Sequence, residues 1–181
     1  MRRRRDDPAT VGGTMSTGMG TSQRPARHYA TGPVTRVLRL LSVLATLVIT
    51  AWIVLSYAEL PDTIATHFGL GGEADGWGGK ASVLVLAAVM VVLSLALAAL
   101  STRPRALNYP TEIAERGAQA IYREGERMMV WTLLGLQVIY LDIARSVLRG
   151  DGGALITLGV GLLIGAVVVG IIRLVRAART A

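Results

Sequence analysis

The chain has 181 residues, of which 52% are apolar, and its 19 Lys and Arg against 12 Asp and Glu give a formal net charge of +7. A soluble domain of this size would be unusually apolar, so the composition indicates a membrane protein. The lack of cysteine excludes disulfides, thiolate metal sites and cysteine nucleophiles. The basic excess does not call for nucleic acid as a partner, because anionic lipid also attracts Lys and Arg.

The N-terminal segment is rich in Gly, Ser, Thr, Pro and Arg and has no apolar periodicity. It offers too little apolar surface to offset the entropy lost on ordering. We therefore expect residues 1–33 to form a disordered basic tail.

Four long apolar runs follow, and each is long enough to cross about 30 Å of hydrocarbon as a helix. The predicted fold class is an all-α membrane protein with four transmembrane helices within residues 34–176. The predicted spans are 38–58, 82–101, 128–148 and 154–172. Residues 177–181 would form a short second tail.

The basic residues are distributed unevenly between the two sides of these spans. Sixteen of the nineteen lie in the tails or between the second and third spans, whereas Lys80, Arg145 and Arg149 lie on the other side. Cytoplasmic flanks carry the excess of Lys and Arg. We therefore expect a multi-pass protein of the bacterial plasma membrane with both termini in the cytoplasm and an outer loop at 59–80.

Between the second and third spans, residues 111–127 place apolar and small side chains at three- and four-residue spacing. Pro110 beside Thr111 is typical of a helix start. We expect a cytoplasmic amphipathic helix that lies on the inner membrane surface or extends the third span. A binding site for a cytoplasmic protein is the alternative.

The third predicted span contains polar side chains. Asp142 and Arg145 lie three residues apart near its outer end, and charges inside a membrane often mark function. We expect an intramembrane ion pair between them, with a link to the outer loop as the alternative. For Gln137, at mid-span, we expect a hydrogen bond to another helix in preference to transport chemistry.

The fourth span carries Gly161 and Gly165, a spacing that lets a neighbouring helix approach closely. We expect these glycines to pack within the chain. A homodimer through this face is the alternative.

The loop at 59–80 reads ELPDTIATHFGLGGEADGWGGK and holds most of the chemically distinctive side chains. One His among scattered carboxylates matches no standard zinc spacing, and the loop lacks the full acidic set of a calcium loop. We therefore expect no metal and no cofactor. A connector of this length is usually functional. We expect a compact cap with Trp77 at the membrane interface and His67 near Asp62 or Asp75.

A spaced set of residues in this loop resembles the signature of an uncharacterised bacterial membrane-domain family, which also forms the N-terminal part of SdpI-type immunity proteins. The residues that carry the resemblance are Leu60, Pro61, Asp62, Ile64, His67, Gly72, Asp75, Gly76, Trp77 and Lys80. The resemblance covers roughly residues 38–100 and implies a short form without a second membrane domain. It also implies a multispanning protein, in some relatives one that protects its producer from a secreted toxic peptide and sequesters a regulator at the membrane.

Seven of these residues form the candidate ligand-binding site: Pro61, Asp62, His67, Gly72, Asp75, Trp77 and Lys80. We expect a protein that binds or senses an external ligand such as a membrane-active peptide, in immunity or envelope signalling, with the bilayer and a cytoplasmic protein as further partners. A small oligomeric transporter or channel is the alternative. An enzyme is not expected, because no nucleophile or metal set accompanies His67.

Overall fold

The computed structural model describes residues 24–69, 73–109, 113–150, 153 and 155–179. Its helices are α1 (Pro33–Ser56), α2 (Ala81–Ser101), α3 (Ala118–Arg149) and α4 (Ile156–Arg179), and its strands are β1 (Thr63–Phe68) and β2 (Ala74–Gly79). Single 3-10 turns occur at Tyr57–Glu59 and Pro104–Ala106. All four long helices are apolar enough to cross a membrane, which confirms the predicted number of spans and indicates a multi-pass membrane protein.

The bundle is organised around α3, which packs against the other three helices, whereas α4 packs mainly on α3. β1 and β2 lie between α1 and α2 at one end of the bundle, which we name the hairpin end. An apolar cluster there includes Ile53 of α1, Val83 of α2 and Tyr140 of α3. At the opposite, terminal end a second cluster joins Tyr122 of α3 to Leu174 of α4.

Large apolar side chains remain exposed along the outer faces of the helices. Examples are Leu47 on α1, Val92 on α2 and Ile164 on α4. Such a surface suits helices whose solvent is lipid. Because lipid tails are as apolar as these side chains, burial of apolar surface does little to hold the helices together, and close packing and polar contacts must do more.

Gln137 makes the central polar contact of the bundle. Its side-chain oxygen accepts a hydrogen bond from the Thr46 hydroxyl of α1 at 2.9 Å. Its amide nitrogen donates to the Ser94 hydroxyl of α2 at 3.0 Å. The predicted hydrogen bond to another helix is confirmed, and it reaches two helices at once.

The close approach of α3 and α4 depends on Gly135 and Gly159. A Cβ on Gly135 would lie 3.0 Å from the Leu163 nitrogen, and one on Gly159 would lie 2.9 Å from the Ile139 nitrogen. Gly161 and Gly165, in contrast, have no neighbouring atom of the described residues within 4 Å of a Cβ position. The expected packing of these two glycines within the chain is therefore wrong, since they face outward from the helix pair.

The predicted amphipathic helix at 111–127 is not a separate element. Residues 110–112 lie outside the described residues, 113–117 form no helix, and α3 then runs unbroken from Ala118 to Arg149. The apolar face of its first turns is buried at Ile121 and Tyr122. Residues 118–127 of the predicted helix thus extend the third span and do not form a separate helix on the membrane surface.

A segment preceding α1 covers this face. The Arg24 guanidinium donates to the Leu107 carbonyl at 2.6 Å, the His28 amide donates to the Gln119 side chain at 2.8 Å, and the Tyr122 hydroxyl donates to the Pro25 carbonyl at 3.1 Å. Residues 1–23 of the predicted disordered tail at 1–33 lie outside the described residues. For residues 24–32 the expectation of disorder is wrong, because polar contacts with α3 compensate for the low apolar content of this segment. At the other terminus, α4 continues to Arg179 through part of the predicted tail at 177–181.

Glu126 of α3 holds this segment in place and is only 1% exposed. One carboxylate oxygen accepts hydrogen bonds from the Thr31 hydroxyl at 2.7 Å and from Arg39 of α1 at 2.5 Å. The other accepts from the Tyr29 hydroxyl at 2.7 Å and from Arg27 at 3.4 Å. A buried carboxylate is tolerated where such donors replace water.

The same contacts favour the neutral form of Tyr29. Burial raises the pKa of this hydroxyl, and its hydrogen bond to Glu126 raises the pKa further. Because the folded pKa is raised, this contribution to stability is fully present below the unfolded value of about 10 and is lost as the pH rises above it.

We expect Glu126→Ala to release the segment at 24–32. Removing one partner of a buried ionic cluster leaves its cations uncompensated, at a cost of about 3–5 kcal/mol. The measurements are thermal unfolding in detergent and the rate of tryptic cleavage after Arg27, mapped by mass spectrometry. Glu115→Ala, at an exposed position before α3, is the matched control. Equal cleavage rates in the two variants would show that Glu126 does not hold the segment.

Candidate functional site

The loop after α1 folds into an antiparallel hairpin. β1 and β2 pair with Thr63 opposite Gly79 and Ala65 opposite Trp77, and the register shifts between Ala65 and Phe68. Residues 70–72 at the tip lie outside the described residues, and the candidate site residue Gly72 is among them.

The hairpin is attached to the bundle through Ile64. Its side chain is 4% exposed and belongs to the cluster formed by Ile53, Val83 and their neighbours. A two-stranded hairpin alone is at best marginally stable in water. Burial of this one side chain, together with the helices at both ends, therefore gives the hairpin a fixed position.

Lys80 closes the base of the hairpin. Its backbone amide donates to the Asp62 carbonyl at 2.9 Å, and its ammonium lies 3.1 Å from the Asp62 carboxylate. The same ammonium lies 5.7 Å from the centre of the Tyr57 ring. Pro61 is exposed beside Asp62. The Asp62 side chain is almost fully exposed, so the ion pair contributes at most about 1 kcal/mol and serves mainly to fix geometry.

His67 and Asp75 form a cross-strand hydrogen bond farther from the base of the hairpin. Their side chains are 73% and 50% exposed. Gly76 allows this approach, because a Cβ there would lie 2.9 Å from the His67 Cβ. Trp77, next along β2, is 66% exposed. The hairpin thus displays a polar pair and a large aromatic ring side by side.

An apolar cavity of about 350 Å³ lies beneath β1. Residues 64–68 of β1 form one wall. The helices supply the remaining walls, notably through Leu86, Ile143, Val147 and Ile156. The cavity is large enough to hold several apolar side chains of a ligand.

Six of the seven candidate residues are therefore described, and four of them form two pairs, Asp62 with Lys80 and His67 with Asp75. The sequence did not single out the cavity residues of α3 and α4. Ile143, Val147 and Ile156 are ordinary apolar residues of a membrane span, and only the folded arrangement places them under the hairpin. Among the described residues, no group of three His, Asp or Glu side chains could hold a metal ion.

Asp142 makes contacts that its spacing from Arg145 did not predict. One carboxylate oxygen accepts the backbone amides of Gly153 and Ile156, each at 2.9 Å, and the other has no hydrogen-bond partner among the described residues. Asp142 thus caps the N-terminus of α4, where unpaired amides and the helix dipole favour an anion. The expected ion pair with Arg145 stays a prediction beside this cap.

Comparison with known proteins places the hairpin inside a recurring segment. Residues 43–99 match the model of a family described as a domain of unknown function (DUF1648). An uncharacterized protein of Archaeoglobus fulgidus is 30% identical over an alignment of 83 residues, which covers 41% of this chain and 45% of that protein. No solved structure matches the chain. The similarity thus reaches an uncharacterised membrane-type family, over less than half of each protein.

We expect Asp142→Ala to destabilise the start of α4 by about 1–3 kcal/mol, because two partly buried amides lose their acceptor. Asp142→Asn should retain most of the stability, since its amide oxygen can still accept. The measurements are thermal unfolding in detergent and hydrogen exchange at Gly153 and Ile156.

A double charge reversal, Asp142→Arg with Arg145→Asp, distinguishes a helix cap from an ion pair as the stabilising role of Asp142. The double variant should be no more stable than Asp142→Arg alone, because neither new side chain gives the α4 amides an acceptor. Recovery of stability in the double variant would restore the ion-pair interpretation.

Proposed function

We propose that this chain is a membrane protein that binds a membrane-active peptide at its hairpin end, in an immunity or envelope-signalling role of the SdpI type. The observation that carries the proposal is the apolar cavity beneath β1. The resemblance of the 60–80 motif to that of SdpI-type proteins supports the same reading. The proposal concerns recognition and includes no reaction.

The chemistry of the hairpin end suits an amphipathic peptide. The cavity wall formed by Phe68, Leu86 and Val147 is apolar, whereas His67 and Asp75 offer polar groups at its exposed side. In the described sheet, β1 has β2 as its one strand neighbour. An extended peptide could hydrogen-bond to the other edge of β1 while its apolar side chains enter the cavity.

The polar core supports recognition over transport. Thr46, Gln137 and Ser94 hydrogen-bond to one another across three helices. Polar groups that satisfy each other in this way hold helices together and are not available to line a pathway. The small oligomeric transporter or channel is therefore the less favoured class.

The geometry of the His67–Asp75 pair also favours recognition over catalysis. Both side chains are at least half exposed, whereas acid–base groups usually rely on burial and neighbouring charges to tune their pKa. Water around this pair weakens its electrostatic effect on any reacting group.

The proposed orientation has the hairpin outside the cell and both termini in the cytoplasm. It rests on the excess of Lys and Arg at the terminal end. α3 is then the physical link between the two sides, since its 32 residues run from the segment at 24–32 to the cavity under the hairpin. A cytoplasmic partner would bind at the terminal end.

Single cysteines in this cysteine-free chain test the orientation. We expect an impermeant maleimide to label Thr63→Cys in intact cells and to label Ala106→Cys only after the cells are broken, because the two exposed positions lie at opposite ends of the bundle. The opposite labelling pattern would place the hairpin inside the cell and remove an external peptide as the ligand.

Tolerance of membrane-active peptides tests the function. Deleting the gene should sensitise its host to some members of a panel of cationic amphipathic peptides, and Ile143→Trp should fail to restore tolerance because the larger side chain fills the cavity. Ile164→Trp, on the exposed face of α4, is the matched control and should restore it. Expression and thermal unfolding of both variants are compared in parallel.

Two results would contradict the proposal. Unchanged tolerance of the deletion strain across the whole panel would remove the immunity role. Full restoration by Ile143→Trp, at equal expression, would show that the cavity is not where the peptide binds.

A further inference from the structure

A long groove runs along the outer surface between α3 and α4. It encloses about 550 Å³ and is lined by Met128 and Trp131 on α3 and by Leu158, Gly161, Gly165 and Val169 on α4. Within the part of the chain that the structure describes, no neighbouring atom lies within 4 Å of a Cβ position on either glycine, so the two glycines leave the groove open toward the surrounding lipid. From Leu158 to Arg173 the groove extends about 22 Å along α4.

Charged side chains mark one end of this groove. Arg127 of α3 donates to Glu124 at 2.6 Å, and Arg173 of α4 lies 3.9 Å from the other oxygen of the same carboxylate. One carboxylate therefore stands between two guanidinium groups, which leaves a net positive charge. Arg127 and Arg173 are 43% and 56% exposed, so both can still reach an anion.

A second cavity of about 250 Å³ adjoins the same end. Arg127, Trp131 and Arg173 line both cavities, and the first turn of α1, including Pro33 and Thr35, completes the second one. Among the described residues, no side chain caps this helix start. The positive end of its dipole adds to the positive potential of the two guanidinium groups. The guanidinium groups of α3 and α4 and the N-terminal dipole of α1 thus converge at the head of an apolar groove.

We propose that this groove is a binding site for an anionic phospholipid. An acyl chain would lie along the open glycine face, and the phosphate would contact Arg127 and Arg173. The groove is longer than the roughly 15 Å half-thickness of the hydrocarbon, so it accommodates an acyl chain of one leaflet. The charged end lies at the terminal end of the bundle, where most of the other described basic residues also lie.

The charges favour a lipid over a second copy of the chain. In a two-fold symmetric dimer the same patch meets itself, so the Arg127 and Arg173 of the two copies would face each other across the contact. Like charges brought together in this way oppose association. An anionic headgroup, in contrast, complements them.

Quenching of Trp131 by brominated lipid tests the proposal. The full chain carrying Trp52→Phe and Trp77→Phe retains Trp131 as its single tryptophan and is reconstituted into vesicles that contain brominated phosphatidylglycerol or brominated phosphatidylcholine. We expect half-maximal quenching at a mole fraction of phosphatidylglycerol roughly fivefold lower than that of phosphatidylcholine. Arg173→Gln should reduce this preference toward equality. Arg36→Gln, an exposed basic residue at the start of α1, is the control and should leave it unchanged.

Gly165→Leu provides a second, uncharged variant, because its side chain would occupy the groove. It should weaken quenching by both lipids. Equal quenching by the two lipids in the parent protein would overturn the proposal, as would an equal loss of preference in Arg36→Gln and Arg173→Gln. If the parent is a dimer that Gly165→Leu converts to a monomer while quenching stays unchanged, the groove binds a second copy instead.

Discussion

The bundle depends on a series of polar side chains along α3, each of which bonds to a different part of the chain. Glu126 binds the segment at 24–32 and α1, Gln137 binds α1 and α2, and Asp142 caps α4. In lipid, apolar surface gains little by leaving its solvent, so helix positions must be set by close packing and by polar contacts of this kind. Because all three contacts start from one helix, α3 fixes the register of the others.

This arrangement of the helices determines the position of the hairpin. Gln137 holds α1 and α2 side by side, and the loop between them must then span a short distance with about twenty residues. The excess length folds back as β1 and β2, and Ile64 enters the space between Ile53 and Val83. The cavity lies between β1, which covers the end of the bundle, and the helices beneath it, with the first turn of α4 as one wall. The candidate site is therefore a consequence of how four helices are spaced.

The sequence predicted the four long helices because their signal is a continuous apolar run, which depends on no other part of the chain. The sequence did not reveal contacts whose partners are distant along the chain. Glu126 lies at one of the polar positions of the helix predicted at 111–127. A helical wheel cannot show whether such a position faces water or is covered by a segment 95 residues away in the chain. The spacing of Asp142 and Arg145 predicted an ion pair and did not reveal the hydrogen bonds that Asp142 accepts from amides at the start of the next helix. Gly161 and Gly165 have the expected spacing, but Gly135 and Gly159 make the close contact.

The two proposed binding sites meet at the first turn of α4. Ile156 lines the cavity under the hairpin, and Thr157 and Leu158 line the end of the groove on the opposite side. The Ile156 amide is held by Asp142, so the cap fixes the wall that the two spaces share. A ligand that shifts this turn changes the shape of both spaces, and by linkage each occupant must then alter the affinity for the other equally. Within the described part of the chain, Gln137 bonds to α1 and α2 and not to the first turn of α4. Coupling between the proposed external peptide and the proposed inner-leaflet lipid would thus need no movement of α1 or α2.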